Sequence, residues 1–320
     1  MSKPYRFQFL PGTPLEACHV AMLPIAHEAT VCGRKGTASG PEAIFQISGD
    51  LEYYEEEAGW SPFQHLRLHV AEELRQKKKE DPEGFHDRIA KTAKSVLEPS
   101  TGADDGENLT RTKLLIALGG EHSITPSVIT GAMPKRGTVV VFDAHADLRT
   151  TYQGSIYSHA CAVHRLRELG HRVVLIGLRS MAEFEAERIR SDKHILTILG
   201  REANDPVTRA SLMSALHRLK GDVWVSCDMD AFDPSLVPSV GTPQPDGLDW
   251  AFVSRALEAV MTAPEAHVRG ADVVEVIPEK SHVSQLVAAK LIQRIVSLWG
   301  KARGFDKQPL EGSQAGLRIE

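Results

Sequence analysis

Cysteine is scarce in this sequence: there are four residues among 320, far apart and without a Cys-x-x-Cys pair. This spacing excludes a disulfide framework and a zinc-ribbon site, and it is typical of thiols in a reducing compartment. Uninterrupted apolar runs are short, and none approaches the roughly 20 residues that span a bilayer. The first residues also lack the apolar segment of a secretory signal. We therefore expect a cytoplasmic protein that does not enter a membrane.

Positive charge is not in excess, since 42 acidic residues outnumber 37 lysines and arginines and the formal net charge is −5. This balance gives no reason to expect a nucleic acid or an anionic membrane as partner. The composition is that of a globular protein, 42% hydrophobic and 25% charged, which is enough for a large core. Chains of this length in α/β folds often form one domain. We expect one domain over residues 1–303, followed by a tail (304–320) that is either disordered or packed on a neighbouring subunit.

Short apolar runs alternate with helix-like segments along the chain. Several runs are continuously apolar and β-branched, which is typical of strands buried on both faces of a parallel sheet. Segment 282–299 instead has apolar residues at helical spacing. The predicted strands are 19–25, 114–118, 138–142, 172–177, 222–227 and 271–277, and the predicted helices are 157–169, 181–191, 207–219, 251–262 and 282–299. This alternation predicts a doubly wound α/β fold with a parallel sheet.

The strongest chemical signal directly follows the predicted strand 138–142. Asp143, His145 and Asp147 form an Asp-x-His-x-Asp pattern. In extended backbone, side chains two residues apart point in the same direction, so all three face one way. Carboxylates and imidazoles are common metal ligands, and this pattern therefore predicts part of a metal site.

Two further polar clusters follow other predicted strands. Asp228 and Asp230 come directly after strand 222–227 and also share one face of an extended backbone. His122 ends a Gly-Gly-Glu-His sequence after strand 114–118, where the glycines permit a tight turn. Each residue taken singly has a plain explanation as a turn residue or a helix cap. Three clusters at the carboxyl ends of predicted strands, where open parallel sheets bind ligands, favour one shared site.

The three clusters together supply two imidazoles and four carboxylates. Such groups cannot lie together unpaired, because like charges repel and desolvation adds to the cost. Two divalent cations would neutralise them, and ions roughly 3.5–4 Å apart can share a water and acidify it into a nucleophile. The sequence therefore predicts a dinuclear metal hydrolase with six candidate ligands: His122, Asp143, His145, Asp147, Asp228 and Asp230.

Two other residues have comparable positions. His159 begins the predicted helix 157–169, and its alternative interpretation is an ordinary surface or core histidine. Glu275 lies inside the predicted strand 271–277, where an ionised carboxylate is costly unless it is paired. Glu275 is therefore a candidate partner for a cationic substrate. The alternative interpretation is that it forms a buried ion pair with an arginine.

Residues 19–300 resemble the ureohydrolase (arginase/agmatinase) family, and most of all the agmatinases. The resemblance lies in the Glu275 strand and in three motifs: Gly-Gly-Glu-His, Phe-Asp-Ala-His-Ala-Asp and Ser-x-Asp-x-Asp-x-x-Asp-Pro. The resemblance implies a three-layer α/β/α fold with a mostly parallel eight-stranded sheet and two divalent ions, Mn²⁺ first and Ni²⁺ as the alternative. It implies that one ion is held by His122, Asp143, Asp147 and Asp228, and the other by His145, Asp143, Asp228 and Asp230. His159 then matches the proton-shuttling histidine and Glu275 the carboxylate that grips the guanidinium, while Asp230 or His159 protonates the leaving amine.

The same resemblance implies hydrolysis of a guanidino C–N bond with release of urea. Agmatine is the first choice of substrate, and guanidinobutyrate, arginine, guanidine and an alkylated (bi)guanide are alternatives. Two loops depart from the agmatinase pattern, 26–30 and 237–247, and in the second Ser239 and Asp246 stand where agmatinases commonly have glycine. Because the metals and Glu275 contact only the guanidinium head, we expect these two loops to set substrate choice.

Two rival interpretations remain at this point. Deacetylases share a related fold but use one zinc ion and a His-His dyad, and no His-His pair occurs in this sequence. The second rival interpretation is a catalytically silent subunit of a heteromeric ureohydrolase. The complete set of metal ligands argues against it. We expect a homo-oligomer, a trimer or hexamer, with a hetero-oligomer that includes a homologous subunit as the alternative.

Overall fold

The computed structural model describes residues 5–98 and 113–307. Its strands are β1 (Val20–Ile25), β2 (Leu68–Val70), β3 (Leu114–Gly119), β4 (Thr138–Phe142), β5 (Arg172–Leu178), β6 (Ile195–Leu199), β7 (Lys220–Asp228) and β8 (Glu265–Val274). They form one eight-stranded sheet in the order β2-β1-β3-β8-β7-β4-β5-β6, and each pairing between them is parallel. Because the strands are parallel, their carboxyl ends share one edge of the sheet.

Helices cover both faces of the sheet: α1 (Gly40–Ile47), α2 (Pro82–Leu97), α3 (Thr125–Ala132), α4 (Ala162–Glu168), α5 (Glu183–Ser191), α6 (Pro206–His217), α7 (Trp250–Met261) and α8 (Val283–Ala302). Apolar side chains of α1, α6, α7 and α8 pack against one face, and those of α2 to α5 pack against the other. This arrangement confirms the three-layer α/β/α fold. Among the helices in the described ranges, none combines the length and the apolar composition that crossing a bilayer requires.

The predicted strands in the middle of the sheet are confirmed, since every residue of β1, β3 and β4 is buried. Strands β2 and β6 and helices α1, α2 and α3 are not among the predicted elements. Strand β2 has only three residues, and β6 is an edge strand whose Leu196 is 48% exposed, so neither has the continuous apolar run of a central strand. Helix α4 is shorter than predicted, because a 3₁₀ turn from His159 to Cys161 precedes it.

The predicted strand 271–277 ends earlier than expected. Strand β8 stops at Val274, and Glu275 follows it with a φ of +67°, in the left-handed region that β-strands exclude. The backbone N–H of Glu275 donates to the carbonyl of Gly120. The prediction that Glu275 lies inside a strand is therefore wrong: it lies just beyond one, at the carboxyl edge of the sheet.

The start of the predicted tail packs against its own chain. Residues Phe305–Lys307 form a 3₁₀ turn, and the ring of Phe305 stacks on that of Trp299 with centroids 5.7 Å apart. The same ring lies 4.9 Å from the imidazole of His19. The rest of the tail, 308–320, lies outside the described residues, as do 1–4 and 99–112.

Candidate active site

The six predicted metal-ligating side chains meet at the carboxyl edge of the sheet. His122 begins the turn after β3, and three of the others directly follow β4. Asp228 ends β7, and Asp230 lies in the turn after it. Strands β8 and β7 separate β3 from β4 in the sheet, so the strand order, not proximity in the sequence, brings these residues together. Five of the six line one cavity of about 350 Å³, and Asp143 is fully buried.

Hydrogen bonds from backbone N–H groups, two local and one from the neighbouring loop, set the direction of three of the carboxylates. Oδ1 of Asp143 accepts from the N–H of His145 at 2.6 Å, and Oδ1 of Asp228 accepts from the N–H of Asp230 at 2.9 Å. Oδ1 of Asp230 accepts from the N–H of Ala144 at 3.1 Å. In each case the other oxygen, Oδ2, lies within 3.4 Å of an imidazole nitrogen. The turns after β4 and β7 therefore present their carboxylates to the two histidines.

The first group of ligands surrounds His122. Its Nδ1 lies 3.1 Å from Oδ2 of Asp143, 3.3 Å from Oδ2 of Asp147 and 3.4 Å from Oδ2 of Asp228. In the part of the chain that the structure describes, neither Nδ1 of His122 nor Oδ2 of Asp143 has a hydrogen-bond partner, and both are buried. Buried polar atoms without a partner are rare, and here they converge with two more carboxylates. This is the donor set and the crowding of a cation site.

The second group surrounds His145. Its Nδ1 lies 2.9 Å from Oδ2 of Asp230 and 3.7 Å from Oδ1 of Asp143. One oxygen of Asp143 thus faces each imidazole, and this carboxylate belongs to both groups. By these distances Asp228 belongs to the first group. The two groups adjoin through Asp143, as a binuclear centre requires.

The electrostatics of the cluster indicate a deficit of positive charge. Burial raises the pKa of Asp228 well above its usual range, and the charges of Asp230 and Asp143 raise it further. Burial opposes protonation of His145, but its bonds to Asp143 and Asp230 outweigh burial and raise its pKa to about 12. Protons retained on both carboxylates and imidazoles offset the repulsion between the negative charges of the clustered carboxylates. Divalent cations would replace those protons, so the residues present fit the predicted metal centre.

Two buried side chains, Ser226 and Asp272, support His122 from behind. Ser226 is the serine of the Ser-x-Asp-x-Asp-x-x-Asp-Pro motif, whereas Asp272 is not among the predicted site residues. Nε2 of His122 lies 3.0 Å from the Ser226 hydroxyl, which donates to Oδ1 of Asp272 at 2.7 Å. Asp272 also accepts from Nε1 of Trp224 at 2.5 Å and from the Thr125 hydroxyl at 3.0 Å. The available signal for Asp272 is that it is a second acidic residue, besides Glu275, within the predicted strand 271–277.

The two predicted substrate-side residues line the same cavity. Oε1 of Glu275 accepts from the backbone N–H of His122 at 2.7 Å. Its pKa is raised well above the usual range, by burial first and then by the charge of Glu121. Within the described ranges no lysine or arginine pairs with Glu275, so the alternative interpretation as a structural ion pair is not supported. His159 is half-buried, and its Nδ1 lies 3.2 Å from the Thr30 hydroxyl.

The loops expected to set substrate choice contribute less to the cavity than predicted. Ser239 is fully buried, with its hydroxyl accepting from Arg34 at 3.1 Å, and Asp246 is exposed on the protein surface. Neither lines the cavity, whereas Gly241 and Thr242 of the same loop do. The expectation that Ser239 and Asp246 shape the pocket is therefore wrong, because the loop turns their side chains away from it.

The cavity wall also contains residues outside the predicted site. Arg149, Tyr152 and Cys32 line it, and the Cys32 thiol lies 3.3 Å from the Tyr152 hydroxyl. The guanidinium of Arg149 lies over the rings of Tyr152 and Phe184, 5.2 Å and 5.4 Å from their centroids. Among the described residues that line this cavity, Arg149 is the one lysine or arginine. It places positive charge on a wall whose other charged groups are carboxylates.

Comparisons with known proteins agree with this geometry. The model of the arginase family matches residues 18–297. An N(1)-aminopropylagmatine ureohydrolase from Synechocystis is 35% identical, over 89% of this chain and 90% of its own, and an agmatinase from Pyrococcus horikoshii is 30% identical, over 90% and 95%. The agmatine ureohydrolase of Thermoplasma volcanium superposes with a TM-score of 0.78 at 27% identity, over 95% of this chain and 97% of that one. Motifs, fold and relatives thus confirm the predicted class, and the chain belongs to the arginase family, as a metal-dependent ureohydrolase of guanidino compounds.

Proposed function

We propose that this protein holds two divalent cations and uses them to hydrolyse an agmatine-type guanidino amine. The position of Asp143 carries the metal proposal, because one of its oxygens faces each imidazole. The first ion would be held by His122, Asp143, Asp147 and Asp228, and the second by His145, Asp143 and Asp230, with Asp228 shared between them as the family resemblance implies. Four carboxylates favour a hard ion such as Mn²⁺, and two imidazoles suit Ni²⁺ as well. When bound, two such ions acidify a water that they share and supply a nucleophile at neutral pH.

Glu275 is the residue that positions the substrate in this proposal. A guanidinium group is planar and presents forked N–H donors, which match the two oxygens of a carboxylate. Burial and the charge of Glu121 raise the pKa of Glu275, and a cationic substrate beside it would offset both effects. Gly241 lies beside Oε2 of Glu275 in the cavity wall, where a Cβ would stand 3.8 Å from that oxygen. In this proposal Glu275 holds the guanidinium group in the cavity that the metal-ligating side chains also line.

Cleavage of the C–N bond requires a proton on the leaving nitrogen. His159 is half-buried in the cavity wall, where it can exchange protons with both solvent and substrate. Asp230 is buried and lies 2.9 Å from Nδ1 of His145, so it is the second candidate. We propose that His159 is the proton shuttle that protonates the leaving nitrogen, with Asp230 as the alternative proton donor.

The substrate we propose is agmatine, or agmatine extended at its amine by an aminopropyl group. The relatives named for these two activities align over about nine-tenths of this chain. The products would be urea and a polyamine, putrescine in the case of agmatine. The test is urea release by the purified, Mn²⁺-loaded protein with agmatine, aminopropylagmatine, guanidinobutyrate and arginine at matched concentrations. We expect the highest kcat/KM for one of the two amines, and no urea from any of the four would overturn the proposal.

One observation favours a second candidate class, guanidino acids such as guanidinobutyrate. Arg149 lines the cavity and would attract a carboxylate at the far end of the substrate while repelling an amine. The same substrate panel with Arg149→Met separates the two classes. If the tail is an amine, the variant should keep or raise kcat/KM for agmatine. If the tail is a carboxylate, it should lower kcat/KM for guanidinobutyrate by about tenfold or more, as loss of a charge-assisted bond does.

The assembly and the location of the protein stay predictions. A homo-oligomer, trimer or hexamer, is tested by light scattering of the purified chain. Turnover by that same preparation tests the alternative of a silent subunit that requires a homologous partner. The expected cytoplasmic location is tested by fractionation of the source cells.

A further inference from the structure

Glu121 is a buried carboxylate that belongs to neither metal-ligating group. It stands next to His122 in the chain, is fully buried, and contacts loop 26–30 instead of the metal-ligating cluster. Its Oε2 accepts from the backbone N–H groups of Ala29 at 2.8 Å and Thr30 at 2.7 Å. Its Oε1 accepts from the hydroxyls of Thr30 at 2.9 Å and Ser123 at 2.6 Å. Four donors therefore converge on one side chain, and three of them belong to the segment that faces His159.

The Thr30 hydroxyl joins Glu121 to His159. Its oxygen lies 2.9 Å from Oε1 of Glu121, 3.2 Å from Nδ1 of His159, and 3.2 Å from the backbone nitrogen of His159. A hydroxyl has one hydrogen to donate, and a carboxylate only accepts, so that hydrogen goes to Glu121. The Thr30 oxygen must then accept from His159, and Nδ1 must carry the donated hydrogen. In the neutral imidazole this leaves the lone pair on Nε2.

We propose that Glu121 and Thr30 are positioning residues that hold neutral His159 as its Nδ1–H tautomer, so that Nε2 is the atom that exchanges protons with the substrate. This inference rests on the proposed proton-shuttle role of His159. In the transfer, the Nε2–H bond of the imidazolium breaks, its electron pair stays on Nε2, and a new N–H bond forms on the leaving amine. Nδ1–H stays bonded to Thr30 throughout, and water returns the proton to Nε2 afterwards.

The packing around the ring supports the same orientation. The Tyr152 ring meets the His159 ring edge-on, with centroids 5.9 Å apart. In the described part of the chain Nε2 has no protein hydrogen-bond partner, so it is free to act on a ligand. Loss of the group that selects the tautomer of a catalytic histidine can cost up to about 10⁴-fold in kcat where that group is a directly bonded carboxylate. Here the carboxylate acts through a neutral hydroxyl, and we expect about 10–100-fold.

The test compares Thr30→Val, which keeps the shape and removes the hydroxyl, with Thr30→Ser, which keeps the hydroxyl. Thr30→Val should lower kcat about 10–100-fold while KM and the metal content per chain stay near wild type. Thr30→Ser should remain within about threefold of wild type. Both variants are repeated with His159→Ala, because a residue that acts only through His159 adds nothing once the imidazole is gone. Thr30→Val should then change kcat by less than about twofold.

Three results distinguish the possible failures. If Thr30→Val lowers kcat by the same factor in the His159→Ala background as in wild type, Thr30 supports the fold and the inference is overturned. If the kcat of Thr30→Val alone stays within threefold of the wild-type kcat, the inference is overturned as well. If His159→Ala itself keeps full activity, the proton-shuttle role proposed above fails first, and the inference fails with it. Glu121→Gln adds a check on the carboxylate: a folded variant with two metals and wild-type kcat would remove Glu121 from the proposal.

Discussion

Replacing Ser226 by alanine should weaken metal binding although Ser226 is not itself a ligand. Its hydroxyl stands between Nε2 of His122, at 3.0 Å, and Oδ1 of Asp272, at 2.7 Å. In the variant the buried Nε2–H of His122 has lost its acceptor and Asp272 has lost one of three side-chain donors. A buried donor left without a partner costs about 1–3 kcal/mol. Loss of the group behind a metal-ligating histidine typically weakens affinity about 10–100-fold, or roughly 1.4–2.7 kcal/mol, so the two estimates agree.

The assay is a titration of metal-free protein with Mn²⁺ in competition with a chromophoric chelator. Ser226→Ala should raise the Kd of the ion that His122 holds about 10–100-fold. The matched control is Ser297→Ala in α8, because Ser297 is fully buried and its hydroxyl has no hydrogen-bond partner in the described ranges. The control removes the same group and should leave the Kd unchanged. A folded Ser226→Ala protein with a Kd within twofold of wild type would refute this account of how His122 is held.

Three further predictions address the metal centre, the substrate carboxylate and the buried histidines. Asp228→Asn should abolish most urea release and leave fewer than two metals per chain by elemental analysis. The control Asp222→Asn, at the other end of β7, should retain both metals. An Asp228→Asn protein with two metals per chain would count against the ligand role of Asp228. Glu275→Gln should raise KM for the guanidino substrate about 10–100-fold with both metals retained, because a charge-assisted bond is lost; an unchanged KM would contradict its role. Burial, aided by the charge of His27, lowers the pKa of His86 to about 3. The unfolded chain then binds a proton that the folded chain does not, so stability falls as pH drops below about 6.5, by about 2 kcal/mol from neutral pH to pH 5. Urea denaturation at both pH values should show this loss, and His86→Gln with an undiminished loss would argue against it.

Much of the fold follows from patterns that operate over short distances in the chain. The runs 114–118 and 138–142 are continuously apolar because β3 and β4 are covered by helices on both faces, so burial and sequence match directly. The prediction omits β6 because this edge strand has only five residues and Thr197 interrupts its apolar residues, so it lacks the continuous run of a central strand. At Glu275 the sequence pattern predicts a strand conformation that the structure does not contain. Its neighbours continue the apolar pattern, and only its left-handed φ, which no residue pattern specifies, ends β8 before it.

The side chains that could form the metal centre are predictable from the sequence. An Asp-x-His-x-Asp pattern after an apolar strand places its ligands at the carboxyl edge of whatever parallel sheet the strand joins. The tertiary structure alone decided how the three clusters meet, because the strand order places β8 and β7 between β3 and β4. It also decided the contacts behind and around the site. Thr30 meets Glu121 and His159 across 91 and 129 positions of the chain, and Ser239 turns away from the cavity that Arg149 enters. Such contacts depend on how separate loops pack at one sheet edge, and local periodicity carries no information about that packing.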